Sequence, residues 1–366
     1  MGIFNIFSNI HRAQTLPKEF YTEPAYFEVS KERIFACSWQ WVGDNSAVQF
    51  PQQVQPFTLL EGYLNEPLLL VRDENNLLHC LSNVCTHRGK ILVEQPGKCR
   101  KIICGYHGRR FALNGQFEYM PDFKNVENFP SPEDNLAQVK LIQWHRFLFV
   151  SLAPQWDLLP VLAEIDRRIS FLDFSRFRYD PLTSRDYLVR AHWALYCENY
   201  LEGFHIPFVH PDLNQFLDVA TYSTEIYDFM NLQIGYANKG SDCFDLPKEH
   251  PDQGKEVAAY YFWIFPNLML NFYPWGLSVN VVKPLQLNLC KVSFITYVYD
   301  PQRFTQTVAA QTDKVEREDE AVVESVQQGI YSRFYKAGRY SPRYETGVHH
   351  FHQLIARCMN NIQNIQ

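Results

Sequence analysis

Two short cysteine and histidine pairs constrain this chain more than anything else in it. Cys85-Thr86-His87 and Cys104-Gly105-Tyr106-His107 read as C-x-H, sixteen residues, then C-x-x-H. Each pair brings one thiolate and one imidazole, so a centre held by both has two sulfur and two nitrogen ligands. A [2Fe–2S] cluster with two Cys on one iron and two His on the other takes that set. A structural zinc ion also takes Cys₂His₂, but zinc modules usually pair Cys with Cys and His with His along the chain. The mixed pairing runs against zinc. Gly89, Gly105 and Gly108 permit the tight backbone approach that aims main-chain N–H groups at sulfur. The nine cysteines are odd in number and follow no secretory segment, which argues for reduced thiols plus a metal site, not a disulfide framework. Cys80 and Cys99 are then expected as buried thiols.

The ligand pairs lie among short strands. Leu68–Val71 and Leu77–Cys80 flank the turn Asp73-Glu74-Asn75-Asn76, and Arg110–Leu113 and Gln116–Tyr119 flank Asn114-Gly115, a strong hairpin signal. Gln138–Ile142 and Phe147–Leu152 make a third pair. Such spacing predicts a small antiparallel β domain over 38–152. With 366 residues the chain exceeds the size at which single cores stop growing, about 250–300, so a second domain is expected from 153–366, with 1–37 joined to it. Pro154 and Pro160 mark the change. Beyond them, 192–206 has helical spacing, 257–299 alternates with Leu268, Leu270 and Phe272 on one face, and 305–338 is charged and helical in period. The predicted fold class is α+β, an antiparallel sheet backed by helices.

A second constellation lies in the helical stretch. His205 and His210 are five residues apart, which on a continuous helix would turn them about 140° from each other. Pro207 stands between them and is expected to break the helix, letting both rings converge. Glu198, Glu202 and His205, at i, i+4 and i+7, are expected to share a helix face and form a polar wall. Two His and one carboxylate on one face of an octahedron form the arrangement of oxygen-activating non-haem Fe(II). Val315, Val322, Val326 and Ile330 define an apolar stripe on the helix after 305, and Asp319 falls on it. A core-facing carboxylate needs a partner, and a metal supplies one. Glu316 and Glu320 lie off that stripe and are expected in solvent.

Net charge is −6 and no Lys/Arg run tracks a phosphate backbone, which excludes nucleic acid as the expected partner. No stretch reaches the roughly 18 apolar residues of a membrane span, and the N-terminus carries neither signal peptide nor myristoylation signal. A cytoplasmic protein is expected. No Gly-x-Gly-x-x-Gly loop is present for a dinucleotide.

Cys-Thr-His-Arg-Gly (85–89) with Cys-Gly-Tyr-His-Gly (104–108) resembles the Rieske motif of ring-hydroxylating oxygenase α subunits. Glu-Asn-Tyr-Leu-Glu-x-x-His-x₄-His (198–210) resembles the iron signature of the same family, and 318–327 and 340–352 resemble its C-terminal segment. Arg109 departs from the pattern, since many members carry Trp there. The resemblance implies a Rieske β domain followed by a helix-grip catalytic domain. It implies a [2Fe–2S] cluster on Cys85, His87, Cys104 and His107, and a mononuclear Fe(II) on His205, His210 and Asp319. It implies O₂ as co-substrate, electrons from NAD(P)H through a separate reductase of flavin or ferredoxin type, and a head-to-tail trimer in which Glu202 links the Rieske His107 of a neighbouring subunit to an iron-ligating His. Glu at 202, where ring-hydroxylating members usually have Asp, resembles the branch acting on quaternary ammonium compounds. Tyr260, Tyr261, Trp263, Phe265, Phe272, Tyr273 and Trp275 are candidates for a cation-binding cage, although alternation turns half of them away. Two further readings stay open here, an aromatic-ring cis-dihydroxylating dioxygenase and a non-catalytic Rieske electron carrier. His349, His350 and His352 are expected to be structural, and His192 is assigned no role.

Overall fold

The computed structural model describes residues 2–210 and 221–360, with the backbone alone for 306–312. It contains two compact units, Ala36–Gln155 and a second made of Met1–Phe35 with Trp156–Gln366.

In the first unit, apolar alternation and turn residues produce ten strands: β1 (Gln40–Asp44), β2 (Gln53–Leu59), β3 (Glu66–Arg72), β4 (Leu78–Ser82), β5 (Gly97–Lys98), β6 (Ile102–Ile103), β7 (Arg110–Phe111), β8 (Phe117–Tyr119), β9 (Gln138–Trp144) and β10 (Phe147–Ser151). Seven form an antiparallel sheet in the order β1-β10-β9-β4-β3-β2-β5, and β6-β7-β8 form a smaller one. The Asp73 carboxylate closes the β3–β4 hairpin by accepting the N–H groups of Asn75 and Leu77 at 2.9 and 2.8 Å. The hairpin around Asn114-Gly115 is shorter than the sequence predicts. Asn135 Oδ1 takes the N–H of Phe117 at 2.7 Å and Leu136 donates to the Gly115 carbonyl at 2.9 Å, so part of the ladder is replaced by the segment before β9.

The two ligand loops join β4 to β5 and β6 to β7, and they fold alike. Cys85 N–H bonds the Lys90 carbonyl and Gly89 N–H bonds the Cys85 carbonyl; Cys104 N–H bonds the Arg109 carbonyl and Gly108 N–H bonds the Cys104 carbonyl, at 2.8 and 3.0 Å in each case. Gly89 and Gly108 sit at φ +71° and +72°, a left-handed conformation that explains glycine four residues after each cysteine.

Arg109, the departure from the family pattern, is only 2% exposed. Its guanidinium stacks over the rings of Phe111, Phe117 and Phe129 at 4.8 to 5.7 Å and meets Asp134 Oδ1 at 2.5 Å. The Asp134 carbonyl accepts in turn from Thr86 Oγ1 at 2.9 Å. Arg109 therefore ties the second ligand loop to the first. Asp134→Ala would leave a buried cation without its counter-ion, an effect of about 3–5 kcal/mol. Chemical denaturation followed by cluster absorbance should show that loss, and an unchanged midpoint would refute the tie.

In the second unit seven antiparallel strands run β11-β17-β16-β15-β14-β13-β12, from β11 (Arg178–Val189) through β12 (Ser223–Tyr227), β13 (Met230–Tyr236), β14 (Val257–Ile264), β15 (Leu268–Tyr273), β16 (Gly276–Gln286) and β17 (Leu289–Val298). The helices are α1 (Glu19–Thr22), α2 (Pro24–Ser30), α3 (Leu159–Ile169), α4 (Trp193–Tyr200), α5 (Ile206–Val209), α6 (Gln306–Ile330) and α7 (Thr346–Asn360). Leu268, Leu270 and Phe272 share one sheet face as alternation predicts, and Phe174 and Phe177 pack on Phe272 there. The opposite face carries polar residues that grip helices. Asn271 Oδ1 accepts from Tyr200 OH at 2.6 Å, Gln233 Nε2 donates to the Tyr200 carbonyl at 2.8 Å, and Asn231 Nδ2 donates to the Gly347 carbonyl at 3.2 Å. The last turn of α4 is thereby pinned over the sheet, which sets where the chain departs toward His205.

Candidate metal centres and active site

The paired loops bring all four cluster candidates together. Cys85 and Cys104 are 3% and 2% exposed, while the rings of His87 and His107 are half-buried and lie 4.8 Å apart at 74°. The thiols point inward and the imidazoles outward. Burial pushes the Cys85 thiol up, against the N–H groups of His87 and Arg88 that point at its sulfur. Cys104 is also buried, but the N–H groups of Tyr106 and His107, the Cys85 thiol and the Lys90 charge outweigh burial and bring it below the usual thiol range. In both loops the sulfur thus receives N–H groups from the second and third residues after the cysteine. Desolvation and the neighbouring His107, Arg109 and Arg88 keep His87 below the usual histidine range, which favours the neutral ring a metal needs.

The second group forms around the end of α4. Burial holds the His192 ring at about 3, so it is neutral, and its Nδ1 caps α4 by accepting from Ala194 N–H at 3.3 Å. After Tyr200 the helix stops, and the Glu202 carboxylate accepts the N–H groups of Phe204 and His205. A new turn, α5, then begins. Pro207 does not break a helix here: it occupies the first turn of α5, where a missing N–H costs nothing. The interruption lies earlier, at 201–205, and His205 and His210 bracket α5. Their rings stand 5.2 Å apart at 78°.

Asp319 of α6 meets both. Its Oδ1 lies 2.9 Å from His210 Nε2 and 3.4 Å from His205 Nε2, and one donor atom from each of the three residues falls within 4.8 Å of the others. Each imidazole is held from behind, His205 Nδ1 by Glu202 Oε1 at 2.6 Å and His210 Nδ1 by Glu318 Oε2 at 2.7 Å. Such carboxylate–histidine pairs fix ring orientation and leave Nε2 for a metal. Burial opposes charge on His205, but Asp319 and Glu202 carry its ring up to about 9, so it must give up a proton before ligating. Asp319 is buried too, and the two imidazoles hold its carboxyl below the usual carboxylate range.

Several expectations fail at this site. Glu198 shares no polar wall with Glu202 and His205; it bonds Tyr21 OH at 2.7 Å and His352 Nε2 at 3.1 Å. On α6, Val326 is 43% exposed while Val323 and Gln327 are buried, so the inward stripe is shifted. Glu316 is not in solvent: it accepts from Tyr196 OH at 2.8 Å and lines a cavity. Glu318 and Glu316 were invisible to an apolar-stripe argument, because this part of α6 faces polar groups. His349, His350 and His352 bond Phe7 carbonyl, Asn231 Oδ1 and Tyr340 OH, as structural residues do.

The cavity, of about 320 Å³, opens on His205, His210 and Asp319. Rings of Tyr196, Tyr200, Tyr222, Tyr261, Tyr273 and Trp275 line it. Of the seven cage candidates Tyr261, Tyr273 and Trp275 reach it, Trp263 and Phe265 are not among its lining residues, and Tyr260 and Phe272 lie on the other face of the sheet.

Comparison with known proteins decides the family. Residues 38–130 match the Rieske [2Fe-2S] domain, and residues 171–361 match the ring hydroxylating alpha subunit (catalytic domain). The chain is 31% identical to choline monooxygenase, chloroplastic, of Arabidopsis thaliana, over 94% of this chain and 83% of that protein.

The chain belongs to the Rieske non-haem iron oxygenases.

The carnitine monooxygenase oxygenase subunit of Escherichia coli (strain K12) is 29% identical over 98% of this chain and 97% of that one. A crystal structure of a quaternary ammonium Rieske monooxygenase with L-carnitine superposes with TM-score 0.74 at 25% identity, covering 95% of this chain and 96% of that chain. Naphthalene 1,2-dioxygenase from Rhodococcus sp. shares the fold, with TM-score 0.74 at 17% identity, over 95% of each chain.

As a Rieske oxygenase the chain is an oxidoreductase that uses O₂, carries a [2Fe–2S] cluster and a mononuclear iron, and takes electrons from NAD(P)H through a reductase. The donor sets fit both groups: two buried thiols facing two imidazoles, and two Nε2 atoms with one carboxylate. A zinc module and a non-catalytic carrier are set aside by these matches. Among the described residues no helix is long and apolar enough to cross a membrane.

Proposed function

We propose that this oxygenase hydroxylates a carbon bonded to a quaternary nitrogen, and that the C–N bond then breaks to give a tertiary amine and an aldehyde. One oxygen atom enters the C–H bond as hydroxyl, the other leaves as water, and NAD(P)H supplies two electrons. The observation that carries this reading is the ring of five tyrosines and Trp275 against the two-histidine, one-carboxylate face. Aromatic faces attract an onium group that ordinary hydrogen bonds cannot hold. The relatives named for choline and carnitine oxidation support it.

In this proposal Cys85, His87, Cys104 and His107 would hold the cluster, and His205, His210 and Asp319 the iron, whose chemistry when bound is the activation of O₂. Glu202 and Glu318 keep the two imidazoles turned with Nε2 toward the cavity. In the same reading Glu202 serves a second copy of the chain as well, so that His107 of one subunit meets Glu202 of the next in a trimer. Phe208 and Phe204 beside Glu202 are 80% and 44% exposed, and Tyr106, 58% exposed, stacks on His107 at 3.7 Å. Such rings suit surfaces covered on assembly.

The test mixes loaded chain, a surrogate reductase, NADH and O₂ with a panel of quaternary ammonium compounds and arenes. Aldehyde and tertiary amine from an onium substrate are expected. Diol from an arene, with no aldehyde from any onium compound, would establish cis-dihydroxylation instead.

A further inference from the structure

Resting on the quaternary-ammonium reading, we infer that Glu316 is the counter-ion of the substrate's nitrogen, and that the site selects a substrate of net positive charge over a carboxylate-bearing zwitterion. The assignment follows from which charges at the cavity are already committed. Glu202 and Glu318 hold His205 and His210 from behind, and Asp319 faces both Nε2 atoms. Asp242 pairs with Arg303 at 3.1 Å. Glu316 alone among the described acidic lining residues meets neither an imidazole nor a guanidinium at salt-bridge distance; its bond is to the Tyr196 hydroxyl.

Its setting is built for a cation. Tyr196 orients the carboxylate, and Tyr200 and Tyr273, which line the same cavity, both feel its charge. Burial first, and then the charge of Asp319, hold the Glu316 carboxyl well above the usual carboxylate range despite the Tyr196 bond. A positive charge placed beside it would relieve that cost. Trimethylammonium offers no N–H, so it cannot be held by directed bonds, and an anion among aromatic faces is the combination that attracts it.

The far side of the substrate is constrained by the same census. Arg303 is the described guanidinium on the cavity wall, and it is shared among Asp242, Asp245 and Asp300 at 3.1, 3.3 and 3.7 Å, with the Cys243 carbonyl at 3.2 Å. A substrate carboxylate would have to displace those acids. Lys314 is near Glu318, at 3.8 Å. Of the five described acidic lining residues, Glu202, Glu318 and Asp319 serve the imidazoles and the iron they would hold and Asp242 serves Arg303, which leaves Glu316 to face the substrate's nitrogen. With the described lining guanidinium already engaged by acids, the site favours an onium alcohol or similar monocation.

Calorimetric titration of the iron-loaded chain under nitrogen tests this with three probes: choline, its neutral carbon isostere 3,3-dimethylbutan-1-ol, and glycine betaine. Wild type is expected to bind choline about tenfold or more tightly than either of the others. Glu316→Gln, which can still accept from Tyr196, should bring choline within about threefold of the isostere, and Glu316→Asp should retain part of the margin. Cluster spectrum and iron content of each variant report an intact fold, and Glu316→Asp supplies the comparison if the Gln variant does not accumulate. A full margin for choline over the isostere in Glu316→Gln overturns the assignment of Glu316 and leaves the onium reading standing. Glycine betaine bound as tightly as choline by wild type overturns the charge selection. No margin over the isostere in wild type overturns the onium reading itself.

Discussion

Asp319→Ala is expected to yield a coloured protein with a normal cluster spectrum, about two irons per chain in place of about three, and turnover near zero. Asp319 Oδ1 is the point at which both imidazole Nε2 atoms converge, at 2.9 and 3.4 Å, and among the described residues it is the carboxylate that completes that group. Glu318 lies closest along the helix, but its carboxylate is on the opposite side of His210, at Nδ1. In the iron-free protein the same substitution removes the first of the attractions that raise the His205 ring, which should titrate lower than in iron-free wild type. Iron analysis, cluster absorbance and histidine titration by NMR read these separately. Full iron content in the variant would refute the ligand assignment.

Glu202→Gln is expected to lose about 100-fold or more in turnover while both iron centres stay filled. The amide oxygen can replace Oε1 as the acceptor from His205 Nδ1, so the ring keeps its partner, while the NH2 group in place of Oε2 can no longer accept the N–H groups of Phe204 and His205. Also lost is the charge that pulls on the Nδ1 proton and that His107 of the next subunit would meet in the proposed trimer. Glu202→Asp keeps the charge on a shorter arm and should recover part of the rate. Unchanged turnover in Glu202→Gln, with single-turnover cluster oxidation as fast as in wild type, would remove the proposed link between subunits.

How much of this was legible in the sequence depends on how local each constraint is. Cys85, His87, Cys104 and His107 are fixed by two tight turns of five residues, so their spacing and the following glycines carry the whole geometry. His205 and His210 were legible as a pair, but the reason was not. The chain leaves α4 because Asn271 and Gln233 grip Tyr200 from strands seventy and more than thirty residues away, and Pro207 merely starts the next turn. Asp319 was found through an apolar stripe that the structure shifts, since Val326 faces solvent and Val323 and Gln327 face inward. Hydrophobic periodicity assumes an apolar interior, and it misleads where a helix lines a polar site. Glu316 and Glu318 were missed for that reason. Arg109 illustrates the converse: a departure from the family pattern connects the two ligand loops through Asp134.

The paired loops have an evolutionary consequence. Every N–H aimed at a cluster sulfur belongs to the main chain, from His87, Arg88, Tyr106 and His107, while the side chains of Arg88 and Tyr106 project outward. The contacts to the sulfurs and the face presented to a redox partner are therefore encoded in different atoms of the same residues. A lineage can rewrite the exposed side chains while the main-chain N–H groups at the sulfurs stay in place.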